Sequence, residues 1–224
     1  MVGWDVMTQP VIVVVGAGPG LGAAVARRFG RSGHAVALVS RQEAQLKQLG
    51  TALQDEGITA GWTAVDVTDH EALHAAVTRF GEFSGRIDVL HFNPSAFREK
   101  DPLELTPAEL LEDVGLGVGA LLTALQAARP FMSAGARVTA TGSRAADKPW
   151  NRAASLGVQK AGLRNLIRSV DATLSADGIR AVTVTVNGTL AAGTPFDPAR
   201  VADAIHDAAE QPENAWQVEV AFDG

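Results

Sequence analysis

The run Val11-Ile12-Val13-Val14-Val15 leads without a break into Gly16-Ala17-Gly18-Pro19-Gly20-Leu21-Gly22, and this stretch decides the fold. Five successive apolar, mostly β-branched residues read as a strand buried on both faces, the habit of a parallel sheet. The glycine turn then opens an Ala-rich helix over Gly22–Gly30. Strand, glycine turn and helix in that order suit a dinucleotide pyrophosphate. The backbone must approach closely enough for N–H contacts, and a helix N-terminus must point at the anion, so side chains are excluded where the chain turns. As G-x-x-x-G-x-G the match is Gly16, Gly20 and Gly22; as the ordinary G-x-G-x-x-G it fails, because Leu21 takes the last glycine's place. A glycine cluster alone suits any tight turn. Its position between strand and helix marks Gly16, Gly18, Pro19, Gly20, Leu21 and Gly22 as cofactor contacts.

The same alternation continues to the end of the chain. Short apolar runs at Ala35–Val39, Thr63–Val65, Ile87–Phe92, Ala136–Thr141, Ala181–Val186 and Gln217–Ala221 join Val11–Val15 to predict seven strands. Helical stretches lie between them at Gln42–Gly57, Asp69–Phe80, Thr106–Phe131, Ala153–Ser175 and Pro198–Ala209. Thr106-Pro107-Ala108-Glu109 is a helix start: Thr caps, Pro fits the first turn and Glu suits the positive end. Strict alternation predicts an α/β, doubly wound (Rossmann) parallel sheet with helices on both faces. It forms a single domain, residues 11–224, behind a short N-terminal extension, residues 1–10. The segments Asn93–Leu105 and Gly188–Asp197 are the longest irregular pieces and so the expected pocket walls. Phe97, Phe131 and Trp150 are candidates to line that pocket.

Composition narrows the function. With 224 residues, 46% hydrophobic and 20% charged, the chain can bury one sizeable core. A net charge of −6 without a Lys/Arg block argues against nucleic acid and anionic membranes as partners. The first apolar run is too short to span a bilayer, and Asp5 with no basic residue before it does not suit a secretory signal; a cytoplasmic protein is expected. With no cysteine there is no disulfide, thiolate metal site or cysteine nucleophile.

At the end of the second strand, an acidic residue would hydrogen-bond both adenosine ribose hydroxyls and repel a 2′-phosphate. The chain has Ser40 and Arg41 there instead. A hydroxyl and a permanently charged planar fork favour the phosphorylated cofactor, NADP(H). Asp66 and Val67, after the third strand, are expected at the adenine edge, with capping of the next helix as the alternative role for Asp66.

These features, together with Asp88-Val89-Leu90, Ser143 and Lys160 in order and spacing, resemble the short-chain dehydrogenase/reductase family over nearly the whole length. The resemblance implies nicotinamide chemistry on a small-molecule substrate at the carboxyl ends of the strands. It also implies homodimers or homotetramers built on the helices Thr106–Phe131 and Ala153–Ser175, and cofactor contacts from Asn93, Pro94, Ser95, Lys160 and Gly188. Ser143 would orient the reacting carbonyl, and Lys160 would hydrogen-bond the nicotinamide ribose.

The departures gather where chemistry happens. The family's proton-donating tyrosine would stand thirteen residues after Ser143 and four before Lys160; the chain has Leu156 there and no tyrosine anywhere. Gly115 takes the place of an active-site Asn, Phe92-Asn93-Pro94-Ser95 that of Asn-Asn-Ala-Gly, and Asn187-Gly188 that of Pro-Gly. Loss of a positioned general acid is worth roughly 10²–10⁴ in rate. Ser143 through a water, His91 and Ser155 are candidate substitutes, Ser155 poorly aimed because neighbouring helix residues diverge by about 100°. The expectation is an oxidoreductase with a degenerate site; a catalytically silent dinucleotide-binding sensor or structural subunit is the alternative, and a zinc metallopeptidase a remote one. His70-Glu71-Ala72-Leu73-His74 matches the zinc motif H-E-x-x-H. It opens a surface helix with no third ligand in view, so no metal is expected.

Overall fold

A computed structural model describes residues 9–224, so the predicted extension lies, apart from Gln9 and Pro10, outside the described residues. Seven strands form one sheet in the order β3-β2-β1-β4-β5-β6-β7, parallel throughout. They are β1 Val11–Val15, β2 Ala35–Ser40, β3 Ala60–Ala64, β4 Val89–Phe92, β5 Arg137–Ser143, β6 Arg180–Val186 and β7 Glu219–Phe222. The helices are α1 Leu21–Arg31, α2 Glu43–Asp55, α3 His70–Ser84, α4 Pro107–Val114, α5 Ala120–Ala128, α6 Ala154–Leu174 and α7 Pro198–Ala209. Alternate residues of β1, β2, β4 and β6 feed two cores. Val13, Val15, Leu90, Phe92 and Val138 pack with α3, α5 and α6; Ile12, Val14, Leu38, Val182 and Val184 pack with α1, α2 and α7. That two-sided burial is why the strand sequences read as continuous apolar runs.

Two expectations need correction. The third strand begins three residues earlier than expected and ends before Val65. Ala60-Gly61 carries little β propensity of its own. Tertiary packing makes it a strand: a methyl on Gly50 of α2 would lie 2.1 Å from the Trp62 ring, so the indole occupies the space that glycine leaves. The predicted helix Thr106–Phe131 is interrupted. Its start behaves as expected, with a reciprocal capping box between Thr106 and Glu109 and Pro107 in the first turn. Gly115–Gly119 then widens into a π turn, closed by Ala120 N donating to Gly115 O, before α5 resumes and ends in a 3₁₀ turn at Arg129–Phe131. Three glycines in five residues remove the side chains and the propensity that would hold a regular helix. A methyl on Gly117 would also lie 2.4 Å from Gln159 Oε1 on α6.

Candidate active site

The first turn packs as a glycine cradle should. Gly16 has φ +88°, a left-handed conformation that disfavours any side chain, and a methyl there would lie 2.9 Å from Pro94 N. A methyl on Gly22 would meet Gly16 O at 2.5 Å, so the helix can sit this close to the turn only as glycine. Gly18 and Gly20 have the opposite environment, with open space above their Cα atoms. No side chain caps α1. Its N-terminus therefore faces an open, glycine-lined surface that an anion with several oxygens fits.

A hydrogen-bonded series links this turn to the other end of the site. Asn93 Nδ2 donates to Gly16 O at 3.0 Å, Thr141 Oγ1 donates to Asn93 Oδ1 at 2.8 Å, and Lys160 Nζ donates to Thr141 O at 2.9 Å. The series fixes Asn93 at both ends of its amide. It also leaves two of the lysine's three donors uncommitted. Desolvation pulls the Lys160 ammonium down to about 8. Leu156, half-buried, lies one turn before Lys160 on the same face of the unbroken α6. Ser143 ends β5, its Oγ accepting from Ala145 N at 3.2 Å, which leaves the hydroxyl proton free to donate.

Other expected residues divide. Ser40 is half-buried at the end of β2, and Arg41 is 65% exposed beside it, 4.0 Å from Asp66. Asp66 does not cap α3: its Oδ1 accepts from the Thr68 amide and hydroxyl, which hold the carboxyl below its ordinary range, and Asp69 is the cap. Val67 is buried in the core layer under α3. Pro94 is buried against Gly16 and Ser95 is exposed. Gly188 is covered on its Cβ side, where the Phe196 ring lies 2.3 Å from an added methyl. At Gly115 a side chain would meet nothing within 4 Å, so the missing Asn is not excluded by space.

Three candidates fall away. Phe131 packs on Gly81, and its carbonyl accepts from Ile87 N, before β4 begins and at the opposite end of the sheet from Ser143. His91 alternates with Leu90 and Phe92, so it faces away from α6. It is fully buried, bonded through Nδ1 to Thr139 at 2.8 Å with Nε2 unpartnered, and burial with the nearby lysine charge pushes it down to about 3. It therefore stays neutral and has no imidazolium proton to give. Ser155 is completely buried, close enough to Asp113 to help depress that carboxyl but without a hydrogen bond of standard geometry. His70 and His74 are exposed, with Thr123 and Thr78 as their neighbours, and no group of three metal-ligating side chains gathers among the described residues.

Sequence reasoning missed what fixes the loop after β4. Gln159, fully buried, accepts from Ala96 N at 3.0 Å and donates to Ala96 O at 3.2 Å. Arg98 makes paired contacts with buried Asp113 at 3.0 and 3.1 Å, and Lys100 reaches Glu109 at 2.7 Å. A glutamine on the inward side of α6 was the available signal. A cavity of about 610 Å³ opens elsewhere, between α3 and the β2–β3 edge, and involves none of the expected site residues. No described helix is long and apolar enough to cross a membrane.

Fold and site together define a nucleotide-binding oxidoreductase scaffold. Residues 10–198 match the short chain dehydrogenase family, and the chain belongs to it. It is 32% identical over 199 residues to the cis-4-hydroxycyclohexanecarboxylate dehydrogenase of Sinomonas cyclohexanicum, covering 86% of this chain and 80% of that one. To an A-factor type gamma-butyrolactone 1'-reductase of Streptomyces virginiae it is 27% identical over 222 residues, with 96% and 86% covered. Among solved structures, a metagenomic short-chain oxidoreductase in complex with NADP superimposes with a TM-score of 0.85 at 26% identity, covering 97% and 98% of the two chains. Members of this family bind NAD(P) and act on small molecules.

Proposed function

We propose that this chain is an NADP(H)-dependent oxidoreductase of a small carbonyl, enone or alcohol that works without a phenol. When bound, the cofactor supplies or accepts the hydride. Gly16 to Gly22 would hold its pyrophosphate, Ser40 and Arg41 its 2′-phosphate, Asp66 and Val67 its adenine edge, and Asn93, Pro94, Ser95, Lys160 and Gly188 its nicotinamide half. The observation that carries the reading is Lys160: a buried ammonium tied to Thr141 O, depressed to about 8 and one turn from Leu156. A group near neutrality gives up a proton readily. Lys160 would supply it through a water held at Ser143, whose hydroxyl orients the carbonyl. A homodimer or homotetramer in the cytoplasm completes the proposal; Leu111, Leu122 and Val158 expose apolar side chains on the helices concerned.

Leu156 and Gly115 favour one second reading, a dinucleotide-binding protein that turns nothing over. Titration with NADPH and NADH, followed by a panel of carbonyls and alcohols, separates them. Because a relative acts on cis-4-hydroxycyclohexanecarboxylate, that hydroxy acid and its ketone are the first compounds to try. The oxidoreductase reading expects tighter NADPH than NADH binding and a turnover lowered by Ser143→Ala and Lys160→Ala. Tight binding with flat nicotinamide absorbance throughout supports the silent reading, and affinity for neither coenzyme sinks both.

A further inference from the structure

Arg144, at the carboxyl edge of the sheet, has no carboxylate partner among the described residues. Ser143 ends β5 and Arg144 opens the short helical turn Arg144–Ala146. Ser143 is in register with Val186, so the next residues, Arg144 and Asn187, lie side by side, and Arg144 Nη1 donates to the Asn187 carbonyl at 3.2 Å. That single neutral bond engages one of the five donors of a guanidinium. The residue is exposed.

The carboxylates around this edge are engaged elsewhere. Asp147 takes two contacts of Arg164, at 2.7 and 2.9 Å; Glu219 is shared by Arg164, Arg168 and Thr185; Asp223 accepts from the Asn187 side-chain amide at 2.9 Å. Among the described residues none lies within ion-pair distance of Arg144. Arg98, Arg164 and Arg180, by contrast, each reach two or more carboxylates. In a chain with 25 acidic and 19 basic residues, an arginine left over beside the reactive serine is not explained by a shortage of partners.

The turn that presents it is rigid. α6 approaches so closely that a methyl on Gly157 would lie 3.1 Å from Ala145 O and 3.3 Å from Pro149 Cβ, and the Asp147–Arg164 pair clamps the far end. A planar fork on a fixed base, one backbone contact already made, is preorganised for a carboxylate. Phe97 and Trp150, with ring centroids 6.2 Å apart and both substantially exposed, rise from the loops after β4 and β5 and offer apolar contact for a carbon skeleton.

We infer that Arg144 binds a carboxylate of the substrate, which makes keto acids and hydroxy acids the substrate class. Ser143 and Arg144 are adjacent, so carbonyl and carboxylate belong to one compact molecule. The inference rests on the oxidoreductase reading, and the test keeps the two apart. The full chain is first titrated with NADP⁺ by calorimetry. Three keto acids of different skeleton, 4-oxocyclohexanecarboxylate among them, and their methyl esters are then titrated into the NADP⁺-loaded protein, where a ketone cannot be reduced and only binding is read.

At least one acid is expected to bind about 10- to 100-fold more tightly than its ester, the range for a charge-assisted contact. That ratio should collapse to within a few-fold in Arg144→Met and survive in part in Arg144→Lys. Equal binding of acid and ester in every pair, binding of neither, or a ratio untouched by Arg144→Met overturns the inference alone. So does a parallel loss of NADP⁺ affinity in Arg144→Met, which would give the guanidinium to the cofactor. Absence of NADP⁺ affinity in the unaltered chain sinks the oxidoreductase reading and this inference with it.

Discussion

The two ends of the sheet's carboxyl edge are built from different materials. At the β1–α1 turn everything is backbone: Gly16 with φ +88°, Gly22 pressed on Gly16 O, and a helix start that no side chain caps. At the β5–α6 end the proposed working parts are a hydroxyl, an ammonium and the hydrocarbon of Leu156. A backbone site is intolerant of a Cβ at its close approaches, Gly16 and Gly22, but indifferent to side-chain chemistry. A side-chain site can lose its reagent while the fold stands: on the proposed reading Leu156 stands where a phenol would, and α6 runs unbroken through it. Asn93 and Thr141 join the two ends, so Lys160 keeps its place without a phenol to hold it.

The largest effect should come from restoring the missing reagent. Leu156→Tyr is expected to raise kcat/KM for carbonyl reduction by about 10²–10⁴, the worth of a positioned general acid, measured as NADPH oxidation. No gain would show that the chemical end has diverged further than one side chain, with Gly115, where space for a side chain is open, the next to restore as Asn.

Lys160→Met tests whether the charge at this end is as buried as it looks. The folded lysine titrates near 8, lowered by desolvation, and the unfolded one near its ordinary 10.5. Between those values the unfolded chain holds more protons, so stability rises with pH across the window. Below it, the buried charge costs up to about 3 kcal/mol. Thermal unfolding should find the variant's relative stability highest near pH 7 and falling as pH rises from 8 to 10. A difference independent of pH would mean that the ammonium is hydrated.

This division also explains what the sequence made legible. The glycine turn, the helix start at Thr106 and six of the seven apolar runs are local patterns with local causes, and the structure follows them. What escaped depends on distant partners. Gln159 gains its role from Ala96, Arg144 its one hydrogen bond from Asn187, and β3 its strand from the indole over Gly50. The π turn needed both its glycines and the amide of Gln159 facing them, and only the first was visible as composition. The cap of α3 that sequence offered to Asp66 belongs to Asp69, because the Thr68 amide and hydroxyl engage Asp66 while Asp69 accepts from Ala72 N.

Two glycines of one turn sharpen the backbone side of the comparison. Gly22→Ala sets a methyl 2.5 Å from Gly16 O and 2.8 Å from Ala17 Cα, backbone atoms that cannot swing aside. It should lower stability by about 1–3 kcal/mol and NADPH affinity with it. Gly18→Ala points into open space, so its Tm should stay close to that of the parent while NADPH binding weakens. If Gly18→Ala affected neither, the pyrophosphate would not lie over this turn.

The smallest effect belongs to the one place where the cofactor end depends on charge. Arg41 is 65% exposed and faces Asp66 at 4.0 Å, so its field at a 2′-phosphate is screened by water and partly cancelled by a carboxylate. Arg41→Ala should therefore weaken NADPH by only about 10-fold, the low end for a charge-assisted contact, and leave NADH nearly unchanged, as read by fluorescence titration. Asp66→Asn should move NADPH the other way, by less, because it removes the competing charge while its side-chain oxygen can still accept from Thr68. Added salt should narrow the NADPH preference of the parent and leave the Arg41→Ala variant flat. Equal losses for NADPH and NADH in Arg41→Ala would mean that the guanidinium supports the loop and not the phosphate, leaving the cofactor end without a charged determinant.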